Sequence, residues 1–321
     1  MKEIKITDIE GIKIGQAQDR TGGTGCTVFI APNGAYTGVD VRGGGPASRE
    51  TTLLEPRAAA DKINAVVLSG GSAFGLDAAG GVMKYLEEKK IGFDVGITVV
   101  PLVCQSCIFD LGVGDCKARP DVDMGYKACE DAFSDSEPKQ GSYGAGTGAS
   151  VGKLFMMKRA MKSGIGFYAV DVNGLKVGAA AVINAFGDIY ENGKRIAGLL
   201  NEEKTALSEI SVKEGMYKNI APVENRFTGN TSICCVITNA KFDKSQMNKI
   251  AAMASNGLVR AVSPVNTTAD GDSVYAMSTG DFTADINAVG TLAADVLEKA
   301  CINAVKNTEE MFGFKAFKNL L

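Results

Sequence analysis

Histidine is missing from all 321 residues. Its absence excludes the Ser-His-Asp arrangement that most often activates a hydroxyl nucleophile, and it withholds the imidazole ligands that a zinc centre would use. A charge excess is also lacking. The 34 basic and 37 acidic residues leave a net charge of −3, with no basic tract of the kind that neutralises a phosphate backbone, so nucleic acid is not an expected partner. No apolar run reaches the ~20 residues that cross a bilayer. Met1-Lys2-Glu3-Ile4-Lys5 alternates charged and apolar residues, unlike a signal peptide, and the expected compartment is the cytoplasm. Cysteine is sparse, with eight residues; Cys104-x-x-Cys107 has no second pair, so reduced thiols are expected and no disulfide, metal or cofactor.

What is present suits one large layered α/β unit covering residues 1–321. Apolar residues make up 45% of the chain and charged residues 22%, enough for a sizeable core. Short β-branched runs bounded by Gly, Asn or Asp predict strands at Thr27–Ala31, Ala65–Leu68, Ile97–Val103, Phe167–Val172, Lys176–Ile183, Ile233–Thr238 and Ser273–Met277. Apolar residues at spacings of three and four predict helices through Leu76–Leu86, Met247–Leu258 and about 283–305. Asp243 with Gln246 spells a capping box for the second, and Asn256-Gly257 suits its C-terminal end. Ile233–Thr238 is apolar on both faces, as in a central strand covered on both sides. Residues 198–230 are charged and rich in turn formers, and predict a surface connection.

Glycine clusters at Arg42-Gly43-Gly44-Gly45-Pro46 and Ser69-Gly70-Gly71-Ser72 follow strand-like runs. Each fits a tight turn that needs glycine, or backbone N–H groups presented to an anion, with the turn the plainer reading. Gly144–Ala149 meets a relaxed dinucleotide fingerprint, but no strand precedes it, and the near P-loop ending Gly152-Lys153 lacks its first glycine and its Ser/Thr.

With no histidine, Gly229-Asn230-Thr231-Ser232 becomes the most informative stretch. Cleavage of the Asn230–Thr231 bond would free the α-amine of Thr231, a base of pKa ~7.7–8.0 beside its own hydroxyl. Asp270-Gly271-Asp272 follows, just before the predicted strand Ser273–Met277. By itself it reads as an ordinary polar turn.

Arg42-Gly43-Gly44, Arg49-Glu50-Thr51, Leu68–Asp77, Phe109-Asp110-Leu111, Gly144–Lys153, Asn184–Asp188 and Asn256-Gly257-Leu258, taken in order, resemble the DmpA-like L-aminopeptidase/D-esterase family, relatives of nylon-oligomer (6-aminohexanoate-oligomer) endohydrolases. The resemblance covers nearly the whole chain. It implies a four-layer αββα sandwich like that of N-terminal nucleophile hydrolases, and self-cleavage at Asn230–Thr231 into an α chain (1–230) and a β chain (231–321). It also implies self-association as a tetramer of αβ units. Carried over by position, it makes Thr231 the nucleophile, Asp270 and Asp272 the groups that orient it, Lys153 the cation that tunes its amine, and Asn184 the oxyanion donor. Aminopeptidase members carry Ser with Ser-x-Glu, whereas Thr with Asp-x-Asp matches the nylon-oligomer branch. A tyrosine assists in some relatives; the matching region here is Phe109-Asp110, and Tyr143 is the candidate substitute.

The expected activity is hydrolysis of small peptides, amino-acid amides or ω-amino-acid oligomers through an acyl-enzyme. Aminopeptidase/D-esterase or β-aminopeptidase action, acyl transfer of the ornithine-acetyltransferase type, and a non-enzymatic oligomeric scaffold are the alternatives.

Overall fold

The computed structural model describes residues 1–134, 136–220 and 229–320. Ten strands are joined by hydrogen bonds, nine of them in one path: β1 (Lys2–Ile4), β2 (Lys13–Asp19), β3 (Thr24–Val41), β4 (Ala47–Arg49), β5 (Lys62–Ser69), β6 (Val103–Cys107), β7 (Ile165–Val172), β8 (Leu175–Asn184), β9 (Thr231–Ala240) and β10 (Ser273–Phe282). Their order is β1-β7-β8-β9-β10-β3-β5-β6-β4, with β2 also paired to β3. The pairs β9/β10 and β5/β6 are parallel. The helices are α1 (Ala78–Glu88), α2 (Val122–Ala132), α3 (Val212–Lys218), α4 (Lys244–Ala261) and α5 (Ile286–Lys306).

The long strand β3 turns this path into two facing sheets. Its Tyr36–Val41 half pairs with β10, its Thr24–Ile30 half pairs with β2 and β5, and the register breaks between Ile30 and Ala35. A strand that changes sheets at such an irregularity makes a corner of a sandwich. Side-chain alternation then sorts the core into three layers. Along β9, Cys234 and Val236 pack with α4 and α5, while Ile233, Cys235 and Ile237 enter the core between the sheets. Along β3, Phe29 enters that same inter-sheet core, and Cys26, Val28 and Ile30 pack with α1 and α2. The order helices, sheet, sheet, helices is the expected αββα sandwich, and β9 is buried at every residue but Asn239.

The α4 capping box forms as the sequence spells it, with Asp243 Oδ1 accepting from Gln246 N at 2.8 Å. Asn256-Gly257 does not end the helix, which runs on to Ala261. Gly257 instead lets α5 approach: a Cβ there would stand 2.1 Å from the Ala294 carbonyl oxygen. Ile97–Val103 is not one strand either. Val99–Val100 pairs with Phe93–Asp94 in a separate small hairpin, and the sheet strand begins at Val103. The apolar run continues through Pro101, which has no N–H to give a ladder.

Within 198–230, Leu199, Leu200 and Val212 are buried and α3 is capped by Ser211, so part of this segment is core rather than surface connection. Its residues 221–228 lie outside the described residues. Among the described residues no helix is long and apolar enough to cross a membrane.

Candidate active site

Three neighbouring strand ends bring the site together. Thr231 opens β9 and pairs with Asn184, the last residue of β8. On the other side Asp270-Gly271-Asp272 leads into β10, and Asn230 bridges to Asp270. Lys153 arrives from the end of the glycine-rich 144–152 segment, which is tied beside Asn184 by Gly152 N–H to Gly187 O (3.0 Å) and Lys153 N–H to Phe186 O (3.0 Å). The five predicted residues Thr231, Asp270, Asp272, Lys153 and Asn184 thus converge, and all are buried.

The Thr231 hydroxyl donates to the carbonyl of Asn230, the residue before it. That carbonyl also accepts from Gly271 N–H at 3.0 Å. Gly271 suits this place because a Cβ would lie 2.7 Å from the Gly45 carbonyl oxygen and 2.9 Å from Thr231 Oγ. The two aspartates hold the surrounding backbone. Asp272 Oδ1 accepts from Ser232 N (2.6 Å) and Oδ2 from Asn266 N (2.9 Å), and Asp270 accepts from Thr267 N (3.0 Å) and the Thr267 hydroxyl. Asp272 therefore fixes Thr231 through the next residue on the strand.

Asn184 is oriented by its oxygen. Oδ1 accepts from Lys153 Nζ (2.6 Å) and Ser150 N (3.1 Å), so its amide must turn Nδ2 the other way. Nδ2 donates to the carbonyls of Phe109 (2.9 Å) and Gly229 (3.3 Å), the latter one residue before Asn230. Lys153 Nζ also donates to the Asn184 backbone carbonyl at 2.9 Å. Two cavities flank this segment. One, about 120 Å³, is lined by Thr231, Asn230, Gly45, Ser72, Cys107 and Phe109. The other, about 140 Å³, is lined by Lys153, Met156, Met157, Gly112, Phe109 and Gly229.

Burial shapes the electrostatics. It pulls the Lys153 ammonium down to about 7, against the opposing charges of Asp270 and Asp110. It pushes the Asp272 carboxyl up to about 7, with the charge of Asp270 acting in the same direction. Both groups can change protonation near neutrality, a common property of reacting sites.

Several participants were not visible as such in the sequence. Gly271 looked like turn chemistry, and Ser150 N–H acts through its backbone, which leaves no signature. The anion-binding reading of the Ser69-Gly70-Gly71 loop has an answer inside the protein: Gly71 N–H donates at 2.7 Å to the carboxylate of Asp110. Tyr143 stacks with Arg20 and Lys139 and lines neither cavity beside Thr231; Phe109 lines both. All eight cysteines are free, and Cys104 and Cys107 diverge, the first into the inter-sheet core, the second against the Ser69 hydroxyl at 3.0 Å.

A buried hydroxyl held against a peptide carbonyl, with amide donors and a neutralisable lysine around it, brings together the kinds of group that acyl chemistry on amides uses. The chain belongs to peptidase family S58, whose model matches residues 5–318. It is a peptide- or amide-bond hydrolase of the aminopeptidase/amidase kind. It is 34% identical to an uncharacterised aminopeptidase of Mycobacterium leprae, over 97% of this chain and 92% of that one. It is 28% identical to a 6-aminohexanoate-oligomer endohydrolase of a Kocuria species, over 93% of this chain and 85% of that one. Among solved structures it resembles the L-aminopeptidase D-Ala-esterase/amidase of Ochrobactrum anthropi, described as a variant of the Ntn hydrolase fold (TM-score 0.72, 17% identity, 98% and 92% coverage). A Burkholderia β-aminopeptidase is similar at TM-score 0.69 and 18% identity, with the same coverage.

Proposed function

We propose that the protein is a self-processing amide hydrolase with Thr231 as its nucleophile. The observation that carries this reading is the Thr231 hydroxyl bonded to the Asn230 carbonyl while Gly271 N–H polarises the same oxygen. In the maturation step Oγ bonds to the Asn230 carbon and the C–N bond breaks. The Oγ proton ends on the released Thr231 nitrogen, and water then cleaves the ester. The products are an α chain of residues 1–230 and a β chain of 231–321.

In turnover the freed amine accepts the Oγ proton as Thr231 attacks a substrate carbonyl, and water later resolves the acyl-enzyme. Gly271 N–H and the Asn184 amide are the candidate oxyanion donors. Lys153, as an ammonium, disfavours a second positive charge close by and so favours the free-base form of the Thr231 amine. Asp272, through Ser232 N–H, and Asp270, through the loop that precedes it, keep the strand end in place. Small peptides, amino-acid amides and ω-amino-acid oligomers are the substrate candidates. The Thr and Asp-x-Asp pattern, with a relative named for 6-aminohexanoate oligomers, favours the last.

Denaturing electrophoresis of purified protein is expected to show two fragments meeting at Asn230–Thr231. Thr231→Ala is expected to remain one chain and to hydrolyse none of a panel of such amides read by mass spectrometry. Cleavage that persists in this variant removes Thr231 from the role.

A further inference from the structure

Asp110 follows Phe109 just beyond β6, and its carboxylate is buried. Oδ1 accepts from Gly71 N–H and Oδ2 from the Thr24 hydroxyl, each at 2.7 Å. A Cβ on Gly70 would stand 1.9 Å from Asp110 Oδ2, and one on Gly148 would stand 2.5 Å from Asp110 Cβ. This one side chain is therefore the junction of the turn after β5, the start of β3, and the glycine-rich segment that delivers Lys153. One residue back, the Phe109 carbonyl takes the Asn184 amide at 2.9 Å. A carboxylate with two donors is still costly to bury without a nearby cation. Two cations feel its charge: Lys153 on the cavity wall and Lys162, whose Nζ donates to the carbonyls of Gly146 (3.2 Å) and Ala149 (3.0 Å) in the same segment. The other ionisable groups of the neighbourhood are Cys107 on β6, Asp270 and Asp272 beyond Lys153, and Arg20 beyond Lys162.

We propose that Asp110 is a positioning residue of the Thr231 site. It locks the Phe109 carbonyl, and with it the Asn184 amide, to the glycine loops, and its negative charge adds to that of Asp270 in favouring the ammonium form of Lys153. The catalytic part of this inference rests on the Thr231 reading; the effect on Lys153 does not. Burial holds Asp110 up at about 6, below the value of about 7 to which burial draws Lys153, so the larger share of it is ionised at the midpoint of the Lys153 titration. Removing that charge removes an attraction for the ammonium, and Lys153 becomes a free amine at lower pH.

Competitive acetylation with acetic anhydride from pH 5 to 9, with the Lys153 peptide read by mass spectrometry, measures this in the full-length protein. In Asp110→Asn the half-labelling pH of Lys153 is expected to fall by roughly half a pH unit or more. The alkaline limb of amide hydrolysis should move with it. A shifted half-point in a protein without amidase activity supports the Asp110–Lys153 link and sinks the Thr231 reading instead. Activity lost with an unmoved half-point makes Asp110 merely structural and overturns the proposal. Should Asp110→Asn not fold, Thr24→Val keeps the carboxylate and takes away one donor. Asp110 then protonates at higher pH, and the Lys153 half-point moves in the same direction by less; no movement there overturns the proposal as well.

Discussion

Lys153 and Lys162 present the same chemistry in two settings. Both are buried, both donate to backbone carbonyls, and burial draws both ammonium groups down to about 7. Lys153 lines a cavity beside Gly229 and Asn230, whereas Lys162 sits under the glycine-rich segment with Nζ spent on Gly146, Ala149 and Ser163. The contrast teaches that burying a cation is not by itself a sign of catalysis. What separates the two is a route to a ligand, and the second partner of each: a side-chain amide for Lys153, backbone alone for Lys162.

The largest test of that contrast is Lys153→Met. Amide hydrolysis is expected to fall roughly 10²–10⁴-fold with the fold retained, because a group tuning the base is lost. Circular dichroism with a kinetic assay checks both halves. Asn184→Ala should cost roughly 10²–10³-fold, the scale of one oxyanion donor. The double variant sharpens the comparison. Lys153 and Asn184 share a 2.6 Å hydrogen bond, so their effects should fall short of multiplying. Fully multiplicative losses would mean that the two act separately.

Lys162→Met belongs to the other setting. It takes a donor from three carbonyls, leaving Gly146 O and Ala149 O with the backbone N–H groups of Ala149 and Ser163 and Ser163 O with none among the described residues, and a loss of about 1–3 kcal/mol is expected in denaturant unfolding. Activity per folded molecule should stay within about threefold of wild type, because Lys162 lines neither cavity beside Thr231. A loss of turnover comparable to that of Lys153→Met, at unchanged stability, would erase the distinction between the two lysines.

Most of the frame was legible in the sequence, for physical reasons that also explain the failures. Ile233–Thr238 reads as a central strand because both faces must be apolar when helices cover one side and a second sheet the other. Asp243 and Gln246 cap α4 because the signal is local. Gly257 misled because a glycine that ends a helix and one that admits a neighbouring helix look alike in one dimension. Lys162, in Met161-Lys162-Ser163, carries no periodic sign of burial; only the fold brings Gly146 and Ala149 over it. The same holds for Asp110 and Gly71, which are distant in sequence and 2.7 Å apart between bonding atoms. Thr231 stood out as a candidate because the chain has no histidine, a fact of composition that by itself narrows the chemistry open to a hydroxyl nucleophile.

The smallest expected effect, and the finest measure of the two lysines, is how each changes the pH dependence of stability. An unfolded lysine titrates near ~10.4, and Lys153 in the folded protein does so at about 7. Between those values the unfolded chain binds more protons, so the lysine's contribution to stability rises with pH over that range. It is complete above the unfolded value and lost as pH falls through the folded one. Lys153→Met has no such group. Relative to wild type its Tm should stand highest near pH 6 and lose that advantage towards pH 10, by an amount on the order of a few degrees. Lys162→Met should trace the same slope, because the cost of burial is the same, on a curve lowered throughout by the three hydrogen bonds it loses. Taking differences from wild type cancels the titration of groups that both variants share. Parallel slopes with different offsets would separate the charge term, common to the two lysines, from the hydrogen-bond term, which weighs more on Lys162. A flat difference curve for Lys153→Met would show that water reaches its ammonium in the folded state, and the cavity wall beside Asn230 would then have to be drawn open.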